Sequence, residues 1–362
     1  MIVDRLLSAD RPGSRVVTVL LVAIVAVLAL APFLLPGAKA LSVAAKILVF
    51  ILLVASYDLL LGYTGIVSFA HTMFFGIGAY GVAIACTRLQ PTWGAVAVGI
   101  VCALVLSGLL ALVIGLFSLR VRAIFFAMIT LAVAGAFQTA ASQLSELTGG
   151  EDGLSFKVPE VLSPSFSFSE EPFLGASLDG RFVSYYLVFV STVVLFLVML
   201  RIVNSPFGRV LQAIRENDFR AESLGYRTVV YRTLSNVLAA LFATMAGVLL
   251  ALWLRYNGPD TSLSFEIMLD ILLIVVIGGM GTMYGAVIGS AFFLFAQSYL
   301  QDLMKLVSDA TEGLPLLPAL FAPDRWLLWL GVLFVLSVYY FPAGIVGRLR
   351  LAAARRAQGG GS

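Results

Sequence analysis

Charge is what this sequence has least of. Asp, Glu, Lys and Arg make up 12% of its 362 residues, against about 25% in a soluble domain. A soluble fold of this length could bury a large core but would still need a polar coat. There are too few charges to make one. Hydrophobic residues reach 60% and the mean hydropathy is +1.02, so lipid has to serve as the outer solvent. The chain has one histidine, His71, and two cysteines, Cys86 and Cys102. No CxxC spacing or His/Cys cluster is present, so no structural metal is expected, and both cysteines read as buried small hydrophobes. The net charge is only +3, with no basic stripe interleaved with aromatics, which argues against a nucleic-acid partner. No GxxxxGK[ST] motif occurs, so the chain is not a nucleotide-driven motor. No nucleophile or acid–base pair accompanies His71, so no enzymatic centre is expected.

Long apolar runs are abundant instead. A crossing needs about 20 apolar residues. Suitable runs are Val16–Leu35, Leu41–Leu61, Gly65–Cys86, Trp93–Leu119, Ala123–Ser142, Phe182–Leu200, Val229–Leu254, Ile267–Gly279, Tyr284–Leu300 and Trp326–Phe341. The stretch from Ile267 to Leu300 is too long for one crossing and must break. The expected fold is an all-α polytopic membrane protein with about ten transmembrane helices, some of them broken at glycines. Residues 1–357 form a single transmembrane domain, and the terminal 358–362 read as a linker or tag remnant. Met1–Arg15 followed by Val16–Ala31 has the look of a secretory signal, with Ala38-Lys39-Ala40 as a cleavage site. The length of the run and the spans that follow favour a signal-anchor first helix.

Arginine placement sets the orientation. Arg5, Arg11 and Arg15 precede the first span, and Arg120 and Arg122 separate the fourth from the fifth. Arg201, Arg209, Arg215, Arg220, Arg227 and Arg232 separate the sixth from the seventh. Arg348, Arg350, Arg355 and Arg356 follow the last. With ten spans all four clusters share one face, which predicts cytoplasmic N and C termini. The loop 143–181 lies on the other face. It carries Glu146, Glu151, Asp152, Glu160, Glu170, Glu171 and Asp179 against Lys157 and Arg181. Its Phe166, Phe168 and Phe173 are poorly suited to water, so an ordered extracytoplasmic cap with a short hairpin is expected.

Two crossings are crowded with glycine. In "GYTGIVSFAHTMFFGIGAYG", Gly62–Gly81, the residues Gly65, Ser68, Thr72, Gly76, Ala79 and Ala83 recur at helical spacing and predict a small-residue seam against a neighbouring helix. Gly62, Thr64 and Gly65 together predict a helix break, which lipid tolerates only where protein covers it or it lines a cavity. In "VVIGGMGTMYGAVIGSAFF", Val275–Phe293, the residues Gly281, Gly285 and Gly289 are spaced GxxxGxxxG, with Gly278 three before them. Paired glycine-interrupted segments point to a substrate path. The expected path residues are Gly62, Thr64, Gly65, Ser68, His71, Thr72, Gly278, Gly279, Gly281 and Thr282. His71 is expected first of all to hydrogen-bond a neighbouring helix. Asp58 and Asp270 are the carboxylates nearest membrane depth and are functional candidates by default.

The segment "NSPFGRVLQAIRENDFRAESLGYRTVVYR", Asn204–Arg232, predicts two short helices. Ser205 suits an N-cap and Pro206 the first helical position. Phe207, Val210, Leu211 and Ile214 share an apolar face. Asn217 stops the first helix and caps the second, where Phe219, Ala221 and Leu224 are expected to be buried, and Gly225 suits the C-terminal cap. Glu216, Asp218 and Glu222 among the arginines favour docking to a soluble partner over simple lipid binding.

These residues also carry a resemblance. "GRVLQAIRENDFRAESLGY" resembles the cytoplasmic coupling motif of branched-chain amino-acid ABC transporter permeases of the LivM type. "YDLLLGYTGIVSFAHTMFFGIGAY" and "VVIGGMGTMYGAVIGSAFF" resemble that family's two membrane signatures. Ala70, where the family commonly has glycine before the histidine, is a small departure. The resemblance implies a permease subunit in a bacterial cytoplasmic (inner) membrane that translocates Leu, Ile or Val by ATP-driven alternating access. It implies a homologous second permease subunit, two ATPase subunits and a periplasmic or lipid-anchored substrate-binding protein. ATP and Mg would sit on the ATPase subunits, with no cofactor on this chain. Gly208, Ala213, Arg215, Glu216, Asn217, Ala221, Leu224 and Gly225 would serve ATPase coupling. Within the same architecture the solute could be urea, an amide or an aromatic acid. An ion-coupled secondary carrier is the alternative of a different class.

Overall fold

In lipid a crossing segment has to satisfy its own backbone, and a helix does so. In the computed structural model the apolar runs accordingly form helices. The structure describes residues 14–34, 37–118, 123–166, 179–310, 322, 325–340 and 344–349. The main helices are α1 (Arg15–Leu34), α2 (Ala38–Thr64), α3 (His71–Arg88), α4 (Trp93–Ser118), α5 (Ala123–Gln143) and α6 (Gly180–Val203). They continue with α7 (Pro206–Glu216), α8 (Asp218–Ser223), α9 (Thr228–Leu254), α10 (Phe265–Gly278), α11 (Met283–Ala310) and α12 (Trp326–Tyr340). Among the described residues eight helices are long and apolar enough to cross a membrane, against about ten expected. The other two expected crossings do form helices. However, α3 is diluted by glycine, and α12 has 15 residues.

At the centre lies α2, in which every residue from Ile47 to Leu60 is buried. A helix that is apolar and buried all round is a core element, and α9 and α11 pack on it. The outer helices look different. Val98, Val101, Val105 and Leu109 of α4 and Val19, Val22 and Leu30 of α1 are exposed, as lipid-facing surfaces should be. Cys86 is buried as expected, but Cys102 is exposed on that outer face of α4. An apolar thiol loses nothing there when the solvent is lipid.

The small-residue seam exists with Thr72, Gly76, Ala79 and Ala83 buried in α3 as expected, but two of its expected members fall away and others join. Helix α3 starts at His71, so Gly65 and Ser68 precede it and cannot share its stripe. A Cβ on Gly78 would overlap the Thr244 carbonyl, and one on Gly247 would overlap the Phe75 carbonyl. Gly81 and Gly99 meet in the same way between α3 and α4. These close approaches gain dispersion contact that larger residues would forbid. Gly247→Val should therefore lower the melting temperature of the solubilised protein, costing about 1–3 kcal/mol through overpacking. Gly135→Ala is the control, since nothing lies within 4 Å of the added Cβ.

The two ends of the bundle differ. At one end, the described part of the acidic loop is ordered. Its strand β1 (Leu154–Ser155) pairs antiparallel with β2 (Tyr256–Asn257), and Phe156 N–H donates to the Arg255 carbonyl at 3.1 Å. The described part of the loop thus pairs with the chain leaving α9, while residues 167–178, on which part of the expected hairpin falls, lie outside the described residues. Phe156, Val158 and Leu162 are buried against α3 and α9, which supplies the apolar cover those side chains need. At the other end, Val17 of α1 packs with Ile288 of α11 and with Val346. This end also holds both glycine-rich breaks and the α7–α8 hairpin. Arg5, Arg11, Arg120, Arg122, Arg350, Arg355, Arg356, Phe168, Phe173, Glu170, Glu171 and the terminal 358–362 lie outside the described residues.

Candidate functional site: the junction of two broken helices and the coupling hairpin

The first break is built by glycine and closed by its neighbours. Helix α2 ends at Thr64, and Gly65 takes the left-handed conformation (φ 72°) that a side chain would strain. Ile66 N–H donates back to the Leu60 carbonyl at 3.3 Å, and the Thr64 hydroxyl donates to the same oxygen at 2.6 Å. The non-helical Ile66–Ala70 is covered by protein. Phe69 N–H donates to Thr130 Oγ1 of α5 at 3.0 Å, and Ala70 N–H to Ser68 Oγ at 3.3 Å. A break in a membrane helix survives only with such partners.

His71 opens α3 and is fully buried. Its Nε2 lies 2.8 Å from Ser56 Oγ, and that hydroxyl donates its only proton to the Leu53 carbonyl at 2.7 Å. The Tyr57 ring meets the imidazole edge-on at 5.1 Å. His71 thus ties α3 to α2 by the kind of bond expected of it. Ser68 and Thr72 are buried beside it.

The second break joins α10 to α11 through Gly279 (φ 115°) and Gly281 (φ 78°). The Thr282 hydroxyl donates to the Gly279 carbonyl at 2.6 Å. Gly278, Gly285 and Gly289 let α10 and α11 approach with their backbones nearly touching. The two breaks meet. Gly281 N–H donates to both carboxyl oxygens of Asp58, at 2.9 and 3.1 Å. A Cβ on Gly62 would intrude between Asp58 and the Gly281 amide.

Arg215, near the end of α7, completes the junction. Its guanidinium donates to the Gly62 carbonyl, one of the last carbonyls of α2, which have no partner within the helix. A cation at a helix C-terminus also meets the negative end of the helix dipole. A Cβ on Gly281 would lie 2.8 Å from Arg215 Nη1, and one on Gly65 would lie 3.4 Å from Arg215 Cγ. One side chain from the hairpin therefore touches both breaks.

The hairpin is anchored to its own chain. Leu211 and Ile214 are buried, Phe207 stacks on Tyr231 at 5.8 Å, Asp218 pairs with Arg232 at 2.9 Å, and Thr228 donates to Glu222 at 2.7 Å. Asn217 ends α7, and its side chain accepts from Arg220 N–H at 2.9 Å, as its sequence position implies. Ser205 stands at the N-cap position, but its hydroxyl donates back to the Ile202 carbonyl at 2.6 Å and caps nothing.

Residues 39–338 match the family described as "Branched-chain amino acid transport system / permease component". The chain belongs to this permease family. The high-affinity branched-chain amino acid transport system permease protein LivM of Salmonella typhimurium is 27% identical over 298 residues, which cover 78% of this chain and 68% of LivM. LivM of Escherichia coli is equally similar over 299 residues, with the same coverage. The probable branched-chain amino acid transport permease protein LivM of Methanocaldococcus jannaschii is 25% identical over 295 residues, 78% of this chain and 80% of its own. No solved structure matches the chain.

In this permease the expected site residues separate into groups. Gly62, Thr64, Gly65, Gly278, Gly279, Gly281 and Thr282 cluster around the Asp58–Arg215 junction, whereas Ser68, His71 and Thr72 form a buried layer between α2 and α3. Of the expected coupling residues, Ala213, Glu216, Asn217, Leu224 and Gly225 are exposed. Gly208 and Ala221 are buried because they pack the hairpin onto its own chain, and a Cβ on Gly208 would overlap the Val203 carbonyl. Phe219 and Leu224 reverse their expectation. They are 81% and 72% exposed, because α8 is too short to turn more than one face inward and Ala221 occupies it.

Sequence reasoning missed the other end of α2. A cavity of about 450 Å³ lies between the first half of α2, the end of α9 and the start of α10. Its wall includes Lys46, a residue never singled out, and Asp270, flagged only for its depth. The available signal was a lysine inside a long apolar run.

Proposed function

We propose that this permease is the membrane-spanning subunit of an ATP-driven importer of branched-chain amino acids in the bacterial cytoplasmic membrane. A homologous permease, two ATPase subunits and a substrate-binding protein would complete the transporter. The observation that carries the reading is the Arg215 guanidinium, which links the α7–α8 hairpin to both broken helices. A hairpin seated at that point can pass a partner's movement directly into the breaks by shifting the population of two arrangements. The names of the relatives support the substrate class. The arginine-bearing end is proposed as cytoplasmic and the acidic loop as extracytoplasmic.

Exposed Phe219 and Leu224, set among charged residues, suit the apolar groove of a soluble ATPase. Phe219→Asp is expected to weaken co-purification of the ATPase subunits at least ~10-fold, since a buried aromatic anchor contributes about 2 kcal/mol or more. The broader test is uptake into proteoliposomes holding the assembled transporter, with Leu, Ile and Val set against urea, amides and aromatic acids. Uptake that needs both ATP and the binding protein supports the proposal. Uptake by the permease alone on an ion gradient overturns it in favour of a secondary carrier.

A further inference from the structure

We propose that the cavity at the opposite end of α2 from the junction is a transient binding site for an α-amino acid zwitterion, with Lys46 taking the carboxylate and Asp270 the ammonium. This rests on the importer reading and locates the solute within it. Lys46 and Asp270 do not meet directly. Lys46 Nζ donates to Gln297 Oε1 at 3.5 Å, and Gln297 Nε2 donates to Asp270 Oδ2 at 3.2 Å. The Gln297 amide therefore offers an acceptor to the lysine and a donor to the aspartate. An amino acid offers the same pair through its carboxylate and ammonium, with full charges in place of dipoles. Each ion–dipole bond to the amide would give way to a pair with full charge on both sides, whose Coulomb attraction is larger, so the zwitterion can displace the amide and keep both partners satisfied. The long Lys46–Gln297 separation marks a contact that is easily exchanged.

Apart from Ser42, Asp260 and Thr261, the rest of the wall fits the side chain of such a solute. Val43, Phe50, Leu250, Trp253, Leu254 and Ile267 line the cavity, which is where a branched aliphatic group gains from leaving water. The volume of about 450 Å³ lies in the range of small-ligand sites, about 300–1,000 Å³. Lys39, one face-repeat earlier on α2, is not free for this task. It pairs directly with Asp302 at 2.5 Å and lies over the Tyr299 ring. A second cavity of similar volume, about 460 Å³ between α1, α2 and α6, is lined almost wholly by aliphatic and aromatic side chains and offers nothing to a charged head group. Charged side chains at membrane depth are costly and mark solute paths where they persist.

The experiment is binding of radiolabelled L-leucine to the assembled transporter in nanodiscs, without binding protein, with basal ATP hydrolysis measured on the same samples. Wild type should bind saturably. 4-Methylpentanoate, which lacks the ammonium, and leucinamide, which lacks the carboxylate, should compete poorly. Lys46→Met and Asp270→Asn should each weaken leucine binding at least ~10-fold. Each should also remove the discrimination against one analogue, leucinamide for Lys46→Met and 4-methylpentanoate for Asp270→Asn, an outcome that a purely structural role would not produce. Lys46→Arg should retain binding, and unchanged basal hydrolysis shows that the variants assemble. The zwitterion site is overturned if the assembled transporter imports leucine yet binds none, or if it binds leucine equally well in both variants. Failure of the importer reading looks different: wild type then shows no ATP-dependent leucine uptake even with the binding protein.

Discussion

Gly62→Ala is expected to reduce uptake at least ~10-fold while leaving the permease in the membrane. The added methyl would push between the Asp58 carboxyl group and the Gly281 amide, breaking a contact now held at 2.9 and 3.1 Å. A buried donor left without its acceptor costs about 1–3 kcal/mol, and overpacking adds a comparable amount. Most of α2 is untouched by the change, so its packing holds and the loss falls on the junction. Two variants separate this account from general damage. Asp58→Asn keeps an oxygen for Gly281 and should lose less uptake than Asp58→Leu. Gly135→Ala, with open space around it, should transport normally. Equal uptake by Gly62→Ala and wild type would show that the meeting of the two breaks is incidental.

The two breaks could be read from the sequence because glycine at a helix end has a local cause. Gly65 and Gly281 take positive φ, and few other residues do so without strain. The hairpin was legible for the same reason, since Pro206 and Asn217 act on their own backbone. What sequence could not supply was partnership across the fold. Asp58 and Gly281 are 223 positions apart, and Arg215 and Gly62 are 153 apart. No periodicity within one helix predicts either pair. The seam failed in its details for a related reason. Spacing identifies small residues on a common face, but only the neighbouring helix decides which are needed, and Thr244 and Phe75 select Gly78 and Gly247. Phe219 and Leu224 were expected inside because both are apolar. A lone chain leaves them out, and a partner is the natural reason.

The junction and the cavity share the same two helices. Lys46 and Gly62 lie 16 residues apart on α2, about 24 Å along a helix. Asp270 and Gly279 bracket most of α10. A rigid helix whose two ends sit in different sites can carry coupling between them if each end has two arrangements. In this permease, a change of hairpin position would tilt or slide α2 and α10 together, because Arg215 and Asp58 hold their glycine ends as one unit. The distance between Lys46 and Asp270 would change with it, and so would the affinity for a zwitterion bridging them.

Arg215→Ala is expected to uncouple hydrolysis from transport. The guanidinium is the one hairpin group that reaches a break carbonyl among the described residues, so its loss removes that bond to the Gly62 oxygen. The hairpin itself should survive, since Leu211, Ile214, the Phe207–Tyr231 stack and the Asp218–Arg232 pair hold it independently. ATPase subunits should therefore still dock and hydrolyse at the basal rate. Uptake should fall at least ~10-fold, in line with about 1.5–3 kcal/mol for a hydrogen bond from a charged donor. Arg215→Lys restores a cation but not the planar fork that spans Gly62 and packs on Gly281, so it should recover only part of the uptake. Measured side by side, uptake and hydrolysis discriminate sharply. Parallel loss of both places Arg215 in assembly, whereas retained hydrolysis with lost uptake places it in the transmission of force from the hairpin to the broken helices.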